Sequence, residues 1–268
     1  MSNHNADSSN RLTNRLKIIM LLAFLTGVGM GITALAAPLG VWVNAWDFRK
    51  GFSLLRLTNN SGHWVALGIL TTTFIIMVIA VVTKSQGKFK FALLGLLGTL
   101  FSILAFYVPE SFRPPENVNI PPIHDITTDT NNPVEFVEVL KLRGDKTNTV
   151  VYGGSPNMTP EKLAELQAAA YPDIKPQTYN KSSDMIFQRA LSTAQDLHWE
   201  IVNQDQTKGI IEATDTTFWF RFKDDIAIKI TQDGNKTILN ARSLSRVGIS
   251  DVGKNAARLR EFFEKMAE

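Results

Sequence analysis

The chain has 268 residues, 28 Lys/Arg against 25 Asp/Glu, and no cysteine. Without cysteine, disulfides, thiol catalysis and zinc–thiolate sites are excluded. The charge is divided unevenly: residues 1–113 hold ten Lys/Arg against three Asp/Glu, and residues 114–268 hold eighteen against twenty-two. The basic excess therefore flanks apolar runs, a pattern of membrane insertion rather than of nucleic-acid binding.

Three uncharged apolar runs follow one another, Ile18 to Val43, Trp64 to Val82 and Phe91 to Val108. Each is close to, or longer than, the roughly 20 residues a helix needs to cross the hydrocarbon of a bilayer. They predict a membrane domain over residues 18–108 with three transmembrane helices. Arg11, Arg15 and Lys17 precede the first run, and Lys84, Lys88 and Lys90 fill the link between the second and third. Cations concentrate on the cytoplasmic side, so residues 1–17 are expected in the cytoplasm. A loop of roughly residues 44–63, and everything beyond Val108, is then expected outside. Arg49, Lys50 and Arg56 in that loop weaken the asymmetry. The run "ALAA", Ala34 to Ala37, imitates a signal-peptidase site with cleavage at Ala36, but the apolar run continues past it, which argues against cleavage. Gly27 and Gly31 have the GxxxG spacing that lets helix backbones approach closely. That spacing serves packing within the chain or, on the alternative reading, a homo-oligomer. Trp42, Trp46, Phe48, Phe52 and Trp64 read as interfacial anchors.

Residues 109–133 read as a Pro-rich linker whose later part lies on the following domain. From residue 134 the pattern is mixed. Thr159 and Pro160 start a helix as N-cap and first helical residue, with Lys162 where a full capping box has Glu or Gln. The stretch "SSDMIFQRALSTAQDL" predicts a second helix with Phe187, Ala190, Leu191, Ala194 and Leu197 on one face. "HWEIVNQD" and "GIIEATD" read as strands. In "FWFRFKDDIAIKI", Phe218, Phe220 and Phe222 alternate, as do Ile226, Ile228 and Ile230, and Asp224 with Asp225 is read as a tight turn between two strands. "KTILNARSLSR" is a further strand. A final helix is expected from Ser250 or Asp251, with Val252, Asn255, Leu259, Phe262 and Met266 on its apolar stripe. The fold class is α+β: three transmembrane helices, then a soluble domain over residues 134–268 with an antiparallel sheet of about four strands packed by helices.

The stretch from Ala241 to Phe263 concentrates polar residues at a strand-to-helix turn. On the strand, Asn240, Arg242, Leu244 and Arg246 share one face, and Ala241, Ser243 and Ser245 the other. The small residues suit close helix packing. The arginine face is expected beside the outward residues of "FWFRFK". Two readings stay open. Ser250 and Asp251 suit a helix cap, and Arg242, Arg246 and Arg258 suit internal pairing with Asp215, Asp224 or Asp251. Alternatively Asp215, Thr217, Trp219, Arg242, Ser245, Arg246, Ser250, Asp251, Asn255 and Arg258 line a site for an anionic or amphiphilic ligand at a helix start.

The segments "PPIHDITTDT", "GIIEATDTTFWFRFKDDIAIKI" and "RSLSRVGISDVGKNAARLREFF" resemble the family called domain of unknown function 1499, over roughly residues 115–268. The resemblance implies a membrane-anchored bacterial envelope setting and supplies no catalytic residue. His124 and His198 are the two histidines of the second half, and no paired metal-ligand spacing, GxSxG, HExxH, Walker loop or Rossmann glycine pattern occurs. Asp215 with Thr216 and Thr217 is a weak acid-and-hydroxyl cluster, and Ser243 and Ser245 lack an evident base. The expectation is a non-catalytic domain, without cofactor or metal, presented in the periplasm from a bacterial inner membrane. It would bind an envelope protein or an anionic or amphiphilic ligand. The alternatives are a scaffold that oligomerises through its spans, and a hydrolase whose site sequence spacing does not reveal.

Overall fold

The computed structural model describes residues 2–85, 87–111 and 120–268, with the side chains of 2–9 left aside. Part of the Pro-rich stretch, 112–119, thus lies outside the described residues. The chain divides into two compact units, Met1–Arg113 and Pro114–Glu268.

The first unit is a bundle of three helices, α1 (Ser2–Trp42), α2 (Phe48–Val82) and α3 (Lys88–Glu110). Each contains a segment long and apolar enough to cross a membrane. Ile18, Leu22, Ile32, Phe74, Leu93 and Leu96 point outward, whereas Thr58, Asn59, Thr73, Thr99 and Ser102 are buried. Such an inversion of the soluble pattern suits lipid as the solvent, because small and polar side chains let helix backbones meet there. Buried hydroxyls find local carbonyls: Thr73 donates to Ile69 O and Ser102 to Gly98 O. Asn59 donates to Phe106 O and to Glu110 Oε2, both at 3.0 Å, and ties α2 to α3.

α2 begins at Phe48, so the expected loop of residues 44–63 shrinks to the turn between α1 and α2. Asp47 starts the helix, its carboxylate accepting from Lys50 N at 2.9 Å. The buried stripe Gly51, Thr58, Asn59, Gly62, Ala66, Ile69, Thr73, Ile76, Ala80 runs the length of α2. Its N-terminal half is small and polar, which hid it from a reading based on apolarity. Trp46 folds back over Gly40 and donates from Nε1 to Ala37 O at 3.1 Å. Half-buried, it packs against the end of α1.

Gly27 and Gly31 face α3 of the same chain. A methyl placed on Gly27 would fall 2.1 Å from Gly98 O, and one on Gly31 would fall 3.1 Å from the Phe101 ring. The GxxxG spacing is thereby occupied within the chain.

The second unit is α+β. Its elements are β1 (Asp125–Thr127), a 3-10 turn (Val139–Leu142), α4 (Pro160–Ala170), β2 (Gln177–Tyr179), α5 (Ser183–Asp196), β3 (Glu200–Asp205), β4 (Ile210–Thr216), β5 (Lys223–Asp233), β6 (Lys236–Ser245) and α6 (Lys254–Ala267). The sheet order is β1-β6-β5-β4-β3, every pair antiparallel, with β2 also on β6. Thr159 and Ser182 cap α4 and α5 as expected. Ile211, Ala213, Ile226, Ile228, Leu239 and Ala241 meet Phe187, Ala190, Leu259 and Phe262 in the main core. On the opposite face Val134, Phe136 and Val139 cover Ala227 and Leu244.

Three expectations are corrected. Asp224 and Asp225 are not a turn; they lie in β5, paired with Ser245 and Leu244. The turn is Thr217–Phe222, closed by Thr217 N donating to Phe222 O and Phe222 N to Thr217 Oγ1. Phe218 and Trp219 are accordingly exposed instead of extending a strand, and the arginine face of β6 meets other residues. The reason is chemical: buried arginines elsewhere in the fold make two carboxylates acceptable inside a strand. Lastly, α6 starts at Lys254, and Val252 sits before it, exposed, outside the apolar stripe.

Gly27→Val should lower the melting temperature of the detergent-solubilised chain, at a cost of roughly 1–3 kcal/mol for overpacking. Gly29→Val should leave it unchanged, since nothing lies within 4 Å of that position. Equal melting of the two variants would contradict the α1–α3 seam.

Candidate functional site

β5 and β6 carry the residues in question, and strand alternation divides them between the two sheet faces. On the helix face, Arg258 of α6 reaches the sheet from below its first turn. Its Nε donates to Asp215 Oδ2 at 2.9 Å, one terminal nitrogen to Asp224 Oδ2 at 2.6 Å, and the other to Ser243 Oγ at 3.1 Å and Asn255 Oδ1 at 2.6 Å. Asn255, fully buried, donates through Nδ2 to Ser245 Oγ and to His124 O, both at 2.9 Å, and accepts from Ser243 Oγ. Its amide is saturated, as a buried amide must be. Burial works against the charge on Arg258, but Asp224 and Asp215 outweigh it and hold its pKa above the ordinary arginine value.

The other face holds two further clusters. Arg242 clasps Asp125 of β1 with two parallel bonds, Nε to Oδ1 at 2.9 Å and a terminal nitrogen to Oδ2 at 2.7 Å. Its remaining donors go to Val134 O and Val150 O, and its plane lies over the rings of Phe136 and Tyr152. Arg246 and Arg143 converge on Asp225, which also accepts from Thr214 Oγ1. Arg246 further donates to Leu142 O at 2.9 Å, and Arg143 to Asn148 O at 2.7 Å. Burial pulls the pKa of Arg143 down, with Asp225 opposing.

Glu212, fully buried, has no cation as partner among the described residues. It accepts from the backbone N–H groups of Val137 and Glu138 and from Asn203 Nδ2, so that it caps the start of the 3-10 turn.

The turn into α6 behaves as a cap. Asp251 accepts from Gly253 N and Asn255 N, both at 2.8 Å. Burial lifts its pKa above 3.8, with those two N–H groups opposing. Ser250 Oγ accepts from Val252 N and donates to Pro121 O.

The structure therefore brings Asp215, Ser245, Asn255 and Arg258 together, with Asp251 capping the same helix start. It places Arg242 and Arg246 across the sheet, Thr217 and Trp219 in the β4–β5 turn, and Ser250 where the chain joins the domain. Arg242, Arg246 and Arg258 each carry internal carboxylate partners, but only Arg258 has partners that the pairing reading named, Asp215 and Asp224; Arg242 pairs with Asp125 and Arg246 with Asp225. Sequence reasoning missed Asp125, Arg143, Glu212 and Asp225. A single carboxylate flanked by apolar strand residues, Glu212 between Ile211 and Ala213 and Asp225 before Ile226, was the available signal. His124 was placed in a linker; it is buried, with Nδ1 3.0 Å from Ile249 O and Nε2 3.5 Å from Ser155 Oγ. Among the described residues no group of three metal-ligating side chains occurs.

The buried network spans β1 to α6, and a family model described as "Protein of unknown function (DUF1499)" matches residues 125–266, the same segment. The chain belongs to the DUF1499 family. Its DUF1499 domain thus comprises the whole sheet and its three helices, and β1, read from sequence as the end of a spacer, is part of it. No curated protein matches the chain.

Asp225→Ala leaves two buried guanidiniums without their carboxylate, and should cost roughly 3–5 kcal/mol in urea unfolding of the domain. Arg260→Ala, which breaks the solvent-exposed pair with Asp173, should stay within about 1 kcal/mol. The raised pKa of Asp251 means that the native state keeps this proton to higher pH than the unfolded chain. Its contribution therefore falls as pH rises through 3.8 and levels off above the native value. The difference in stability between wild type and Asp251→Asn should drift against wild type over that interval and be flat at neutral pH.

Proposed function

We propose that this DUF1499 protein is a multipass protein of a bacterial inner membrane that presents a non-catalytic periplasmic domain for binding an envelope protein. The reading rests above all on the engagement of Arg242, Arg246, Arg258 and Asn255 inside the fold, which makes the polar cluster a brace for the domain. A rigid domain without free reactive groups in that cluster is suited to display a surface. Val137, Leu140, Leu142 and Val151 are exposed on the segment that covers the arginine face of the sheet, and large exposed side chains of this kind favour a protein partner. The cavity between β2, α5 and α6 holds about 290 Å³, at the small end for ligand sites, and mixes Lys181, Arg189 and Glu268 with Met185 and Met266. It gives an amphiphilic ligand less support than the exposed segment gives a protein.

The cations before α1 and between α2 and α3 support a cytoplasmic N-terminus and an external domain. A hydrolase reading rests on the Ser155–His124 contact, in which Ile249 O fixes the imidazole. Labelling by a fluorophosphonate that Ser155→Ala abolishes would establish it, and unlabelled protein would remove it.

Phosphatase fusions should be active after residue 268 and inactive at the α2–α3 link. In living cells, a photo-crosslinking side chain at Leu140 or Val151 should give a discrete adduct that the same group at Glu264 does not give. Identical patterns at all three positions would sink the binding reading.

A further inference from the structure

The end of the sheet at which β4 turns into β5 and β6 leaves for α6 has its own surface chemistry. Hydrogen bonds gather three segments there. Arg246 N donates to Lys223 O, which joins the β4–β5 turn to the end of β6. Asp251 N donates to Ile123 O and Ser250 Oγ to Pro121 O, which joins the turn before α6 to the point where the chain enters the domain. Ser245 N donates to His124 O beside them.

From this end project Phe218, Trp219, Ile249 and Val252, respectively 63%, 43%, 81% and 55% exposed. Phe218 and Trp219 stand edge to face at 5.2 Å. Lys223 and Lys254 are exposed on the same end, while its carboxylates Asp215, Asp224 and Asp251 are turned inward onto Arg258 and the α6 start. Val252 adds an independent sign. It has φ of 55°, in the left-handed region that a β-branched residue rarely adopts. Strain of this kind persists where the surroundings impose it and clusters at functional loops. Here it turns a valine outward at a cap that a glycine would fill without strain.

Covalent geometry restricts what this end can meet. Residues 112–119 are all that separates Ser111, next to the end of α3, from Ile120. Even fully extended, that connection spans at most about 32 Å. The chain that leaves α3 therefore enters the domain at this same end, where Pro121 O and Ile123 O are bonded to Ser250 and Asp251.

We propose that this end of the domain, Phe218, Trp219, Ile249 and Val252 with Lys223 and Lys254 around them, docks on the headgroup layer of the bilayer that holds the three spans. Aromatic and aliphatic side chains enter the interfacial region, as in aromatic belts. The lysines meet anionic headgroups, each worth about 1 kcal/mol near such a surface. Docking leaves the opposite end of the sheet, where Ser183 N at the start of α5 donates to Gln232 Oε1 near the β5–β6 hairpin, facing water. The proposal goes beyond the partner-binding reading and does not depend on it.

The chain has no cysteine, so a single thiol can be introduced without background. Ile249→Cys and, separately, Met185→Cys at the opposite end of the sheet would be labelled with an environment-sensitive fluorophore in the full chain. The protein would be held in nanodiscs of phosphatidylethanolamine and phosphatidylglycerol containing a headgroup-nitroxide lipid. Both positions are exposed, and melting curves matching wild type verify the fold. Quenching at position 249 should be at least twofold that at position 185, and should fall in phosphatidylcholine discs or at high salt. Equal quenching at the two positions overturns the docking. Quenching at 249 that is indifferent to both lipid charge and salt overturns the role given to the lysines. Val252→Gly should keep or raise the melting temperature while reducing quenching at 249; a loss of stability would contradict the strain assigned to that residue.

Discussion

Asp224 and Asp225 stand next to each other on β5 and face opposite ways, and both layers of the domain hang from them. Asp224 fixes α6 to the sheet through Arg258. Asp225 fixes the segment around the 3-10 turn through Arg143 and Arg246. A buried carboxylate is tolerable only with its partners in place, because the desolvation cost is several kcal/mol and removal of one partner leaves the other charge stranded. The sheet cannot slide by one residue without exchanging the two aspartates between layers and pulling them from Arg143, Arg246 and Arg258. Register, usually set by a hydrophobic alternation, is here set by charge as well.

Arg242 extends the same logic to the first strand. Its bidentate clasp of Asp125 brings β1 against β6, and its stem and plane fill the space under Phe136 and Tyr152. The Tyr152 hydroxyl is buried without a partner, and burial first, then Asp125, raises its pKa. This tyrosine serves as a wall for the guanidinium more than as a polar group in its own right.

The membrane spans, the helix caps at Thr159 and Ser182, and the two faces of β6 could be read from the sequence because each depends on local periodicity or on a local hydrogen bond. The small-residue face of β6 does meet α6, through Ser243 and Ser245 onto Asn255. What could not be read depends on partners distant in the chain. Asp224–Asp225 resembles a turn until Arg258 and Arg246 are known to lie on either side. Glu212 looks like a solvent-facing strand residue until the N–H groups of Val137 and Glu138, more than seventy positions earlier, are found around it. The N-terminal half of α2 looked like a loop because its buried stripe is made of glycine, threonine and asparagine. Of the ten candidate site residues, those at the α6 start gather as their spacing suggested, whereas Thr217 and Trp219 depend on where the hairpin turns.

Both units close their first element onto a late one. α1 lays Gly27 on Gly98 of α3, and β1 pairs with β6, while His124 O beside it holds Asn255 of α6. During synthesis, then, the first span must wait in the membrane, with its glycine seam open, until the third has been made. The DUF1499 domain cannot clasp Asp125 before β6 has been made, nor compensate Asp215 and Asp224 before α6 has followed it. A chain stopped short of α6 would emerge with paired charges uncompensated, so quality control has an all-or-none product to judge instead of a graded one.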